Sequence, residues 1–474
     1  MRSRWGVRIG VAVAALTGLV GVPSALAKTS PPAPPTFHDA DGIHVVSVTQ
    51  IDARQYNVSV LSPALGRAVD VRILVPTAYA ASRSRLPVLY LFHGTSGRAS
   101  DWVESGDAEA TTAGLPLIVV MPDAGFDGNG GGWFTNWVDT TTVLGPSQWE
   151  TFHVDQLIPW IDSNLRTRST REGRAIAGLS QGGFGSTTYA ARHPELFVSA
   201  ASFSGAPDID YNPIVAAGAT GVIQATAVGL DGVQPDAMFG SRATDEINWQ
   251  GHDPADLVTN LRGMDLWLYT ATGAPGPLDP PGVNPGASGI EAATHGSTIS
   301  FVQRAQDQGV PVHLDDYVLG THTFAYWARD LREYVTPLMQ TFAHPTPRPA
   351  TASYQSIDAR WSQWGWSVSL DRPAPQQFSA LTNANASGFT LQGTGTATVT
   401  TPALFARGAR YRVTISGPSG STDVPATADR SGRLVLTIPL GGTDVPAELG
   451  GSAVVGVPGV PPWAQTATVT ITRK

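Results

Sequence analysis

The sequence predicts an α/β fold with a mainly parallel central sheet, followed by a smaller all-β unit. Two apolar runs, residues 86–92 and 115–121, are continuous rather than alternating, which is typical of strands buried on both faces of a parallel sheet. Up to residue 342 such runs alternate with helical patterns. After residue 352 the chain is rich in Thr, Val, Gly and Ser and has short alternating runs, which indicate strands without helices.

The elements of the α/β part can be placed in order. Alternation over residues 43–75 predicts antiparallel edge strands. The later predicted strands are 86–92, 115–121, 175–177, 198–202, 265–270 and 312–318, and the predicted helices are 149–165, 186–192, 290–308 and about 324–342. In such sheets the chemistry lies beyond the carboxyl ends of the strands.

The N-terminus has the pattern of a secretory signal peptide, predicted to span residues 1–27. Arg2, Arg4 and Arg8 precede an apolar run over residues 9–22, and Ala25-Leu-Ala27 offers a cleavage site. Proline-rich linkers are expected at residues 28–39 and 344–352. They delimit a catalytic domain over residues 40–343 and a β-sandwich accessory domain over residues 353–474, and the protein is expected to be secreted.

Charge and cysteine content exclude several classes of function. The formal net charge is −8, with no basic block along the chain, which argues against a nucleic-acid partner. The chain contains no cysteine, so disulfides, thiol nucleophiles and Cys-ligated zinc are excluded. After the N-terminal segment no window holds 18 continuous apolar residues, and no transmembrane anchor is expected.

The motif Gly178-Leu-Ser180-Gln-Gly182 lies between a predicted buried strand and a predicted helix. Gly-x-Ser-x-Gly in this position is the nucleophile elbow of the α/β-hydrolase fold, which presents the serine hydroxyl above the sheet. Chance is the alternative, because 51 of the 474 residues are glycine. The flanking elements favour Ser180 as a nucleophile, with the Gln181 N–H directed at a developing oxyanion.

A serine nucleophile needs a base, and the base needs an orienting acid. In this fold the chain order is Ser, acid, His. The histidines after the elbow are His193, His252, His295, His313, His322 and His344. His322 is the predicted base, because its loop follows a strand and precedes the last helix, whereas His193 is interpreted as a helix cap. Asp279, in a proline-rich loop, and Glu291, near a helix start, are both candidates for the acid.

The second donor of an oxyanion hole is expected in the loop after strand 86–92. Thr95 follows His93-Gly94 in that loop, and its N–H is the predicted donor beside that of Gln181. A His-Gly pair that merely ends a strand is the alternative interpretation.

Several ordered segments resemble the antigen 85 mycolyltransferases, within the broader esterase D group. They are Trp149-Glu-Thr-Phe, Gly178-Leu-Ser-Gln, the run from Arg192 to Gly205, Met238-Phe-Gly, Asp253-Pro, Leu266-Trp-Leu-Tyr and Thr321-His-Thr-Phe-Ala-Tyr-Trp327. The resemblance covers about residues 40–342 and none of the tail. It implies ester chemistry on an α/β-hydrolase fold, with no cofactor and no metal.

The resemblance also implies which acid is used. The family's glutamate precedes a helix phenylalanine and a terminal glycine at spacings that Glu291, Phe301 and Gly309 match, so it favours Glu291 over Asp279. Where the family holds trehalose with an aspartate and an arginine, this chain has His93 and Ser96. The family's tryptophan near the catalytic histidine corresponds to Phe324. The trehalose-binding pattern is therefore not retained.

The leading hypothesis is a secreted serine carboxylesterase that acts on a small-molecule, lipid or glycolipid ester. An acyltransferase that moves the acyl chain to a sugar hydroxyl would use the same residues. A hypothesis of another class is a non-catalytic protein that binds the cell envelope or matrix. In the tail, Trp361, Trp364 and Trp366 either stack on polysaccharide or, as we expect for at least one or two of them, pack in the core.

Overall fold

The computed structural model describes residues 34–374, 376–442 and 465–474. The predicted signal peptide and the first part of the following linker, residues 28–33, lie outside the described residues.

Within the described residues, the N-terminal part of the chain forms a nine-stranded sheet in the order β1-β2-β3-β5-β4-β6-β7-β8-β9. Pairs from β5 onward in that order are parallel, whereas β1, β2, β3 and β5 pair in antiparallel fashion. The strands are β1 His44–Gln50, β2 Gln55–Leu61, β3 Ala68–Leu74, β4 Val88–Phe92, β5 Ile118–Pro122, β6 Arg174–Leu179, β7 Ser199–Phe203, β8 Asp265–Thr270 and β9 His313–Asp316. The predicted mainly parallel sheet with antiparallel edge strands is confirmed.

The strands that the continuous apolar runs predict lie in the interior of this sheet. All five residues of β4 and all five of β5 are buried. Strand β5 begins at Ile118, three residues later than predicted, because the run opens with Leu115-Pro116 and proline cannot donate to a ladder.

Helices cover both faces of the sheet. Their bounds are α1 Asp101–Glu104, α2 Ala108–Thr111, α3 Ile158–Asn164, α4 Gln181–Arg192, α5 Pro213–Thr226, α6 Glu246–Gln250, α7 Pro285–Asp307 and α8 Phe324–Ala343. Short 3₁₀ turns span Tyr79–Ala81, Arg171–Gly173 and Val258–Leu261. The sequence prediction for residues 149–165 corresponds to a π-helical segment, Thr151–Leu157, that continues into α3.

Helix α4 begins at Gln181, not at residue 186 as the sequence predicts. Its first five residues include three glycines, Gly182, Gly183 and Gly185, and glycine disfavours helix in isolation. Residues 181–191 are all buried, so tertiary packing outweighs the weak local propensity.

Helix α5 is not predicted from the sequence, because it has no amphipathic pattern. The helix continues into a π-helical turn, Ala227–Asp231. Among the described residues, Pro213–Asp231 is the helical stretch long and apolar enough to cross a membrane by length and composition, with mean hydropathy 1.5 and 17% of that window buried. The absence of a transmembrane anchor therefore stays a prediction.

The C-terminal part of the chain forms two antiparallel sheets within the described residues. The larger has the order β10-β13-β14-β19-β16-β17 and the smaller β11-β12-β15-β18. The strands are β10 Ala352–Asp358, β11 Arg360–Gln363, β12 Trp366–Asp371, β13 Gln376–Asn385, β14 Gly388–Gly393, β15 Gly395–Thr400, β16 Arg410–Gly417, β17 Gly420–Thr427, β18 Val435–Gly441 and β19 Gln465–Arg473. Both sheets contribute residues to one hydrophobic cluster. We call the described residues 352–374, 376–442 and 465–474 the β unit.

The three tail tryptophans do not form a shared exposed aromatic surface. Trp361 is 8% exposed and Trp366 is 2% exposed, and both pack in the core of the β unit. Trp364 is partly buried against the same core, and the Arg171 guanidinium lies 5.7 Å from its ring centroid. Core packing, the expected alternative to sugar stacking, accounts for two of the three.

The parallel strands bring four loops to one edge of the central sheet. Phe92 pairs with Gly178 and Leu179 with Phe203, and Phe203 in turn pairs with Tyr269. The residues just after these strands are therefore neighbours, and Thr95, Ser180, Gln181 and Glu291 lie in these loops or on a helix that follows. His322 lies in the loop after β9, whose Asp316 pairs with Thr270 of β8.

Candidate active site

Ser180 lies at the turn between β6 and α4 with φ 53° and ψ −123°. A non-glycine residue in this region is strained, and such strain persists where the surroundings impose it. A Cβ on Gly178 would overlap the carbonyl oxygen of Gly182, and a Cβ on Gly182 would overlap that of His93. The two glycines of the motif therefore allow the close backbone approach that a sharp elbow requires.

The structure brings Ser180, His322 and Glu291 into one hydrogen-bonded line. His322 Nε2 lies 2.8 Å from Ser180 Oγ, and His322 Nδ1 lies 2.8 Å from Glu291 Oε2. Because a carboxylate only accepts, Nδ1 carries the proton and Nε2 is free to accept from the serine hydroxyl. This is the arrangement in which an imidazole can remove a serine proton.

Glu291 is fully buried and its second oxygen is also occupied. Glu291 Oε1 accepts hydrogen bonds from Ser204 Oγ and from the Ala271 N–H, each at 2.9 Å. These donors follow β7 and β8, so the sheet itself fixes the carboxylate. Ser204 has φ 47°, a second strained non-glycine residue at the site.

Asp279, the other candidate acid, does not contact His322. Its carboxylate accepts hydrogen bonds from the Gly276 N–H at 2.7 Å, from Tyr326 Oη at 2.9 Å and from the Thr321 hydroxyl. Burial raises the pKa of Asp279, but these hydrogen bonds outweigh it and lower that pKa. Asp279 thus fastens its own loop to the segment that carries His322.

The loop after β4 lies directly against the serine. A Cβ on Gly94 would be 3.1 Å from Ser180 Cβ, and Gln181 Nε2 donates to Thr95 Oγ1 at 3.1 Å. The Gln181 N–H belongs to the first residue of α4 and has no intrahelical acceptor. The two predicted oxyanion donors are therefore on segments that border Ser180.

His93, for which the sequence predicts no role in catalysis, supports the same loop. Its ring is 1% exposed. Nε2 accepts from the Ala124 N–H at 2.8 Å, so Nδ1 carries the proton and donates to the Gly94 carbonyl at 2.7 Å. That carbonyl belongs to the same planar peptide as the Thr95 N–H, and its hydrogen bond fixes how the N–H is oriented.

The other histidines have different surroundings. His193 is the C-cap residue of α4, as interpreted, and its N–H donates to the Tyr189 carbonyl at 2.8 Å. His295 pairs with Asp316 at 3.1 Å, away from the serine. In the part of the chain that the structure describes, no group of three or more His, Cys, Asp or Glu side chains could hold a metal.

Asp231 ends the π-helical turn after α5 and contacts the loop beside Gln181. Its Oδ2 accepts from the Gly131 N–H at 3.4 Å, and a Cβ on Gly131 would overlap the Gln181 amide. Burial raises the pKa of Asp231 to about 7, and the bond from Gly131 offsets only part of that rise. The end of α5 is thus tied to the site through a carboxyl that ionises near neutral pH.

This shift has a predicted consequence for stability. The pKa of Asp231 in the folded protein lies above its value in the unfolded chain. The free energy of unfolding therefore falls as the pH rises toward about 7, and above that pH the full penalty for burying the ionised carboxylate is present. Asp231→Asn removes the penalty, and we expect the Tm to rise by roughly 2 °C or more at pH 8 and to change little at pH 5. Thermal unfolding of both proteins at the two pH values measures this difference, and a gain that is equal at both would contradict it.

A model of the family described as "Putative esterase" matches residues 62–337, which is more than half of the chain. The chain belongs to this esterase family. The matched region spans β3 to most of α8 and contains all the residues that line the site.

Curated relatives of this family member support the resemblance to antigen 85. An esterase of Mycobacterium tuberculosis is 32% identical over 292 residues, covering 60% of this chain and 59% of the relative. The diacylglycerol acyltransferase/mycolyltransferase Ag85A of Mycobacterium tuberculosis is 28% identical, covering 62% of this chain and 83% of the relative. The resemblance is confirmed, although the chain matches little more than half of the first relative's length.

Solved structures also match this family member. Mycobacterium tuberculosis MPT51 has a TM-score of 0.49 and 27% identity, covering 61% of this chain and all of that one. An S-formylglutathione hydrolase from Agrobacterium tumefaciens has a TM-score of 0.47 and 17% identity, covering 64% of this chain and 99% of that one.

Proposed function

We propose that the protein is a secreted serine carboxylesterase that acts through a covalent acyl-enzyme intermediate. The observation that carries the proposal is the line of Ser180, His322 and the buried Glu291, with both contacts at 2.8 Å. Membership of the esterase family agrees with this chemistry. Secretion is supported by the charged and apolar N-terminal pattern of residues 1–27.

In the proposed first half-reaction, Ser180 Oγ attacks the ester carbonyl carbon while His322 Nε2 takes the hydroxyl proton. Glu291 holds the ring by Nδ1–H and stabilises the imidazolium that forms. The N–H groups of Thr95 and Gln181 donate to the oxyanion of the tetrahedral intermediate. The intermediate collapses as the bond to the leaving alcohol breaks, and His322 returns the proton to that alcohol oxygen.

In the second half-reaction the acyl group leaves Ser180. His322 removes a proton from water, which attacks the acyl carbonyl, and the acid is released when the Ser180 oxygen regains the proton. A sugar hydroxyl in place of water would make the same protein an acyltransferase. Acyl transfer is therefore a second candidate function, which is supported by the similarity to Ag85A, whose name includes acyltransferase and mycolyltransferase.

Hydrolysis and transfer can be separated in one experiment. The purified protein is given p-nitrophenyl esters of increasing acyl length, with and without trehalose or glycerol, and both free acid and acylated alcohol are quantified. An esterase yields free acid whether or not the alcohol is present, whereas a transferase yields the acylated alcohol. A folded protein that turns over none of these esters and binds envelope material would instead be the non-catalytic binding protein.

Support for Glu291 by Ser204 leads to a further prediction. Ser204→Ala removes one hydrogen bond to the buried carboxylate, and bonds to charged groups contribute about 1.5–3 kcal/mol. Part of that loss affects the imidazolium, so we expect kcat to fall about tenfold with KM unchanged. Ser199→Ala is the control and should keep its kcat, because Ser199 is a buried serine at the start of β7, the strand that Ser204 follows, and contacts Tyr334. Equal kcat values for the two variants would refute the role of Ser204.

We also propose that the β unit is a β-sandwich, because its two antiparallel sheets share one hydrophobic cluster. Polysaccharide or envelope contact through this unit would need residues other than Trp361 and Trp366, which are buried.

A further inference from the structure

Helix α4, which carries the proposed nucleophile at its N-terminus, has no access to water along most of its length. Residues 181–191 are all buried. The last carbonyls of any helix have no intrahelical donor, and a buried carbonyl without a partner is costly. The C-terminal end of α4 must therefore be capped by protein groups.

The β unit supplies those groups. The Arg192 carbonyl accepts hydrogen bonds from Tyr354 Oη at 2.7 Å and from Gln363 Nε2 at 3.2 Å. These donors lie on β10 and β11, 162 and 171 residues further along the chain. Both side chains are buried, so their hydrogen bonds are shielded from water.

A second carbonyl of the same turn is capped through an intermediary. Asn260 Nδ2 donates to the Ala191 carbonyl at 3.0 Å and to the Gln355 carbonyl at 2.9 Å. Asn260 Oδ1 accepts from the Gln355 N–H at 2.9 Å. One buried amide thus joins the end of α4 to the main chain of β10.

The side chain of Arg192 continues the contact. Its guanidinium donates to Glu150 Oε1 and to the Gly251 carbonyl, both at 2.7 Å, and to Asp358 of the β unit at 3.5 Å. Burial lowers the pKa of Arg192, but the nearby Glu150 and Asp358 carboxylates outweigh it and raise that pKa. The cation therefore stays charged and bridges the two parts of the chain.

Apolar packing reinforces these polar contacts. Ile357 and Phe378, both in the β unit, are 0% and 1% exposed and belong to the core of the α/β part. A Cβ on Gly251 would overlap the Ile357 side chain. The β unit therefore contributes to the main core instead of only resting on its surface.

We propose that the β unit is a permanent cap of the nucleophile helix, and that the two parts of the chain fold and unfold as one cooperative unit. Its contribution is then to hold α4 from its C-terminal end, opposite the serine. A separately folding adhesive module would show neither the shared core nor the capping of buried carbonyls.

Two tyrosine variants of the full chain test this proposal. Tyr354→Phe keeps the ring and removes the donor to Arg192, whereas Tyr411→Phe removes a hydroxyl that accepts from the Ala406 N–H inside the β unit. Both tyrosines are 7% exposed. We expect one calorimetric transition for the wild type, lowered by roughly 2 °C in each variant. Hydrogen exchange over residues 185–193 should be about tenfold faster in both variants, because in one cooperative unit the buried helix exchanges only when the whole unit unfolds.

The outcomes separate clearly. Two calorimetric transitions in the wild type would overturn the proposal. So would unchanged exchange over residues 185–193 in Tyr354→Phe, or a Tyr411→Phe variant in which only the β unit melts earlier. None of these readouts depends on ester hydrolysis, so they test this proposal independently of the proposed activity.

Discussion

Replacing Ser180 by alanine is expected to lower kcat for ester hydrolysis by roughly 10⁴-fold or more while leaving the Tm unchanged. The hydroxyl is the group that forms the acyl bond, and no other hydroxyl lies within hydrogen-bond reach of His322 Nε2 among the described residues. Because the nucleophile and its base act together, removing the nucleophile leaves only the rate enhancement that comes from substrate binding and oxyanion stabilisation. Initial rates with a p-nitrophenyl ester, measured on protein whose fold is checked by thermal unfolding, give the ratio.

Ser163→Ala is the matched control for this prediction. Ser163 is exposed, and its hydroxyl donates to Asp41 at 2.6 Å, far from the site. This variant should hydrolyse the ester at the wild-type rate. A Ser180→Ala protein that keeps more than a few per cent of the wild-type kcat would show that another residue is the nucleophile.

Glu291→Gln is expected to lower kcat by roughly 10³- to 10⁴-fold with little change in KM. The carboxylate accepts from Nδ1–H and so fixes the His322 tautomer. A neutral amide can present its NH₂ to Nδ1, which stabilises the tautomer that carries the proton on Nε2 and cannot accept from Ser180. The buried Glu291 acts through His322, so we expect KM to be nearly unchanged. Steady-state kinetics give both constants.

Asp279→Asn is the comparison that decides between the two candidate acids. Its carboxylate binds Gly276, Thr321 and Tyr326 and does not touch the imidazole. We therefore expect a loss of kcat below about tenfold, from loosening of the loop. If the asparagine variant is inactive and the glutamine variant is near wild type, Asp279 is the acid and our assignment of Glu291 is wrong.

Much of the α/β part could be predicted because its signals are local. The continuous apolar run at β4 and the glycine pattern around Ser180 each specify an element without reference to the rest of the chain. The choice of Glu291 is different, because spacing leaves Asp279 equally open and only the resemblance to antigen 85 favours Glu291. Only the folded chain places the Glu291 carboxylate 2.8 Å from His322.

Other features could not be predicted because they depend on distant contacts. Ser204 lies within the segment from Arg192 to Gly205 that resembles the family, but nothing in the sequence indicates that its hydroxyl contacts Glu291, 87 residues later. The early start of α4 at Gln181 results from burial, which overrides the low helix propensity of its glycines. Helix α5 has neither amphipathic periodicity nor a charged face from which to recognise it.

The contact between the β unit and α4 also could not be predicted from the sequence. A change of composition after a proline-rich stretch predicts a separate domain, and the recurring short strands predict its β structure. Tyr354 and Gln363, whose side chains cap α4, look like ordinary strand residues in the sequence. That contact can be recognised only when both parts of the chain are seen together.

The central claim, that Ser180 forms the acyl-enzyme, is tested most directly by mapping a covalent adduct. The full protein is treated with a fluorophosphonate, digested and analysed by mass spectrometry. We predict one adduct, on the peptide that contains Ser180, and none in Ser180→Ala. An adduct on a different residue, or undiminished ester hydrolysis by a protein that carries no adduct, would contradict the account.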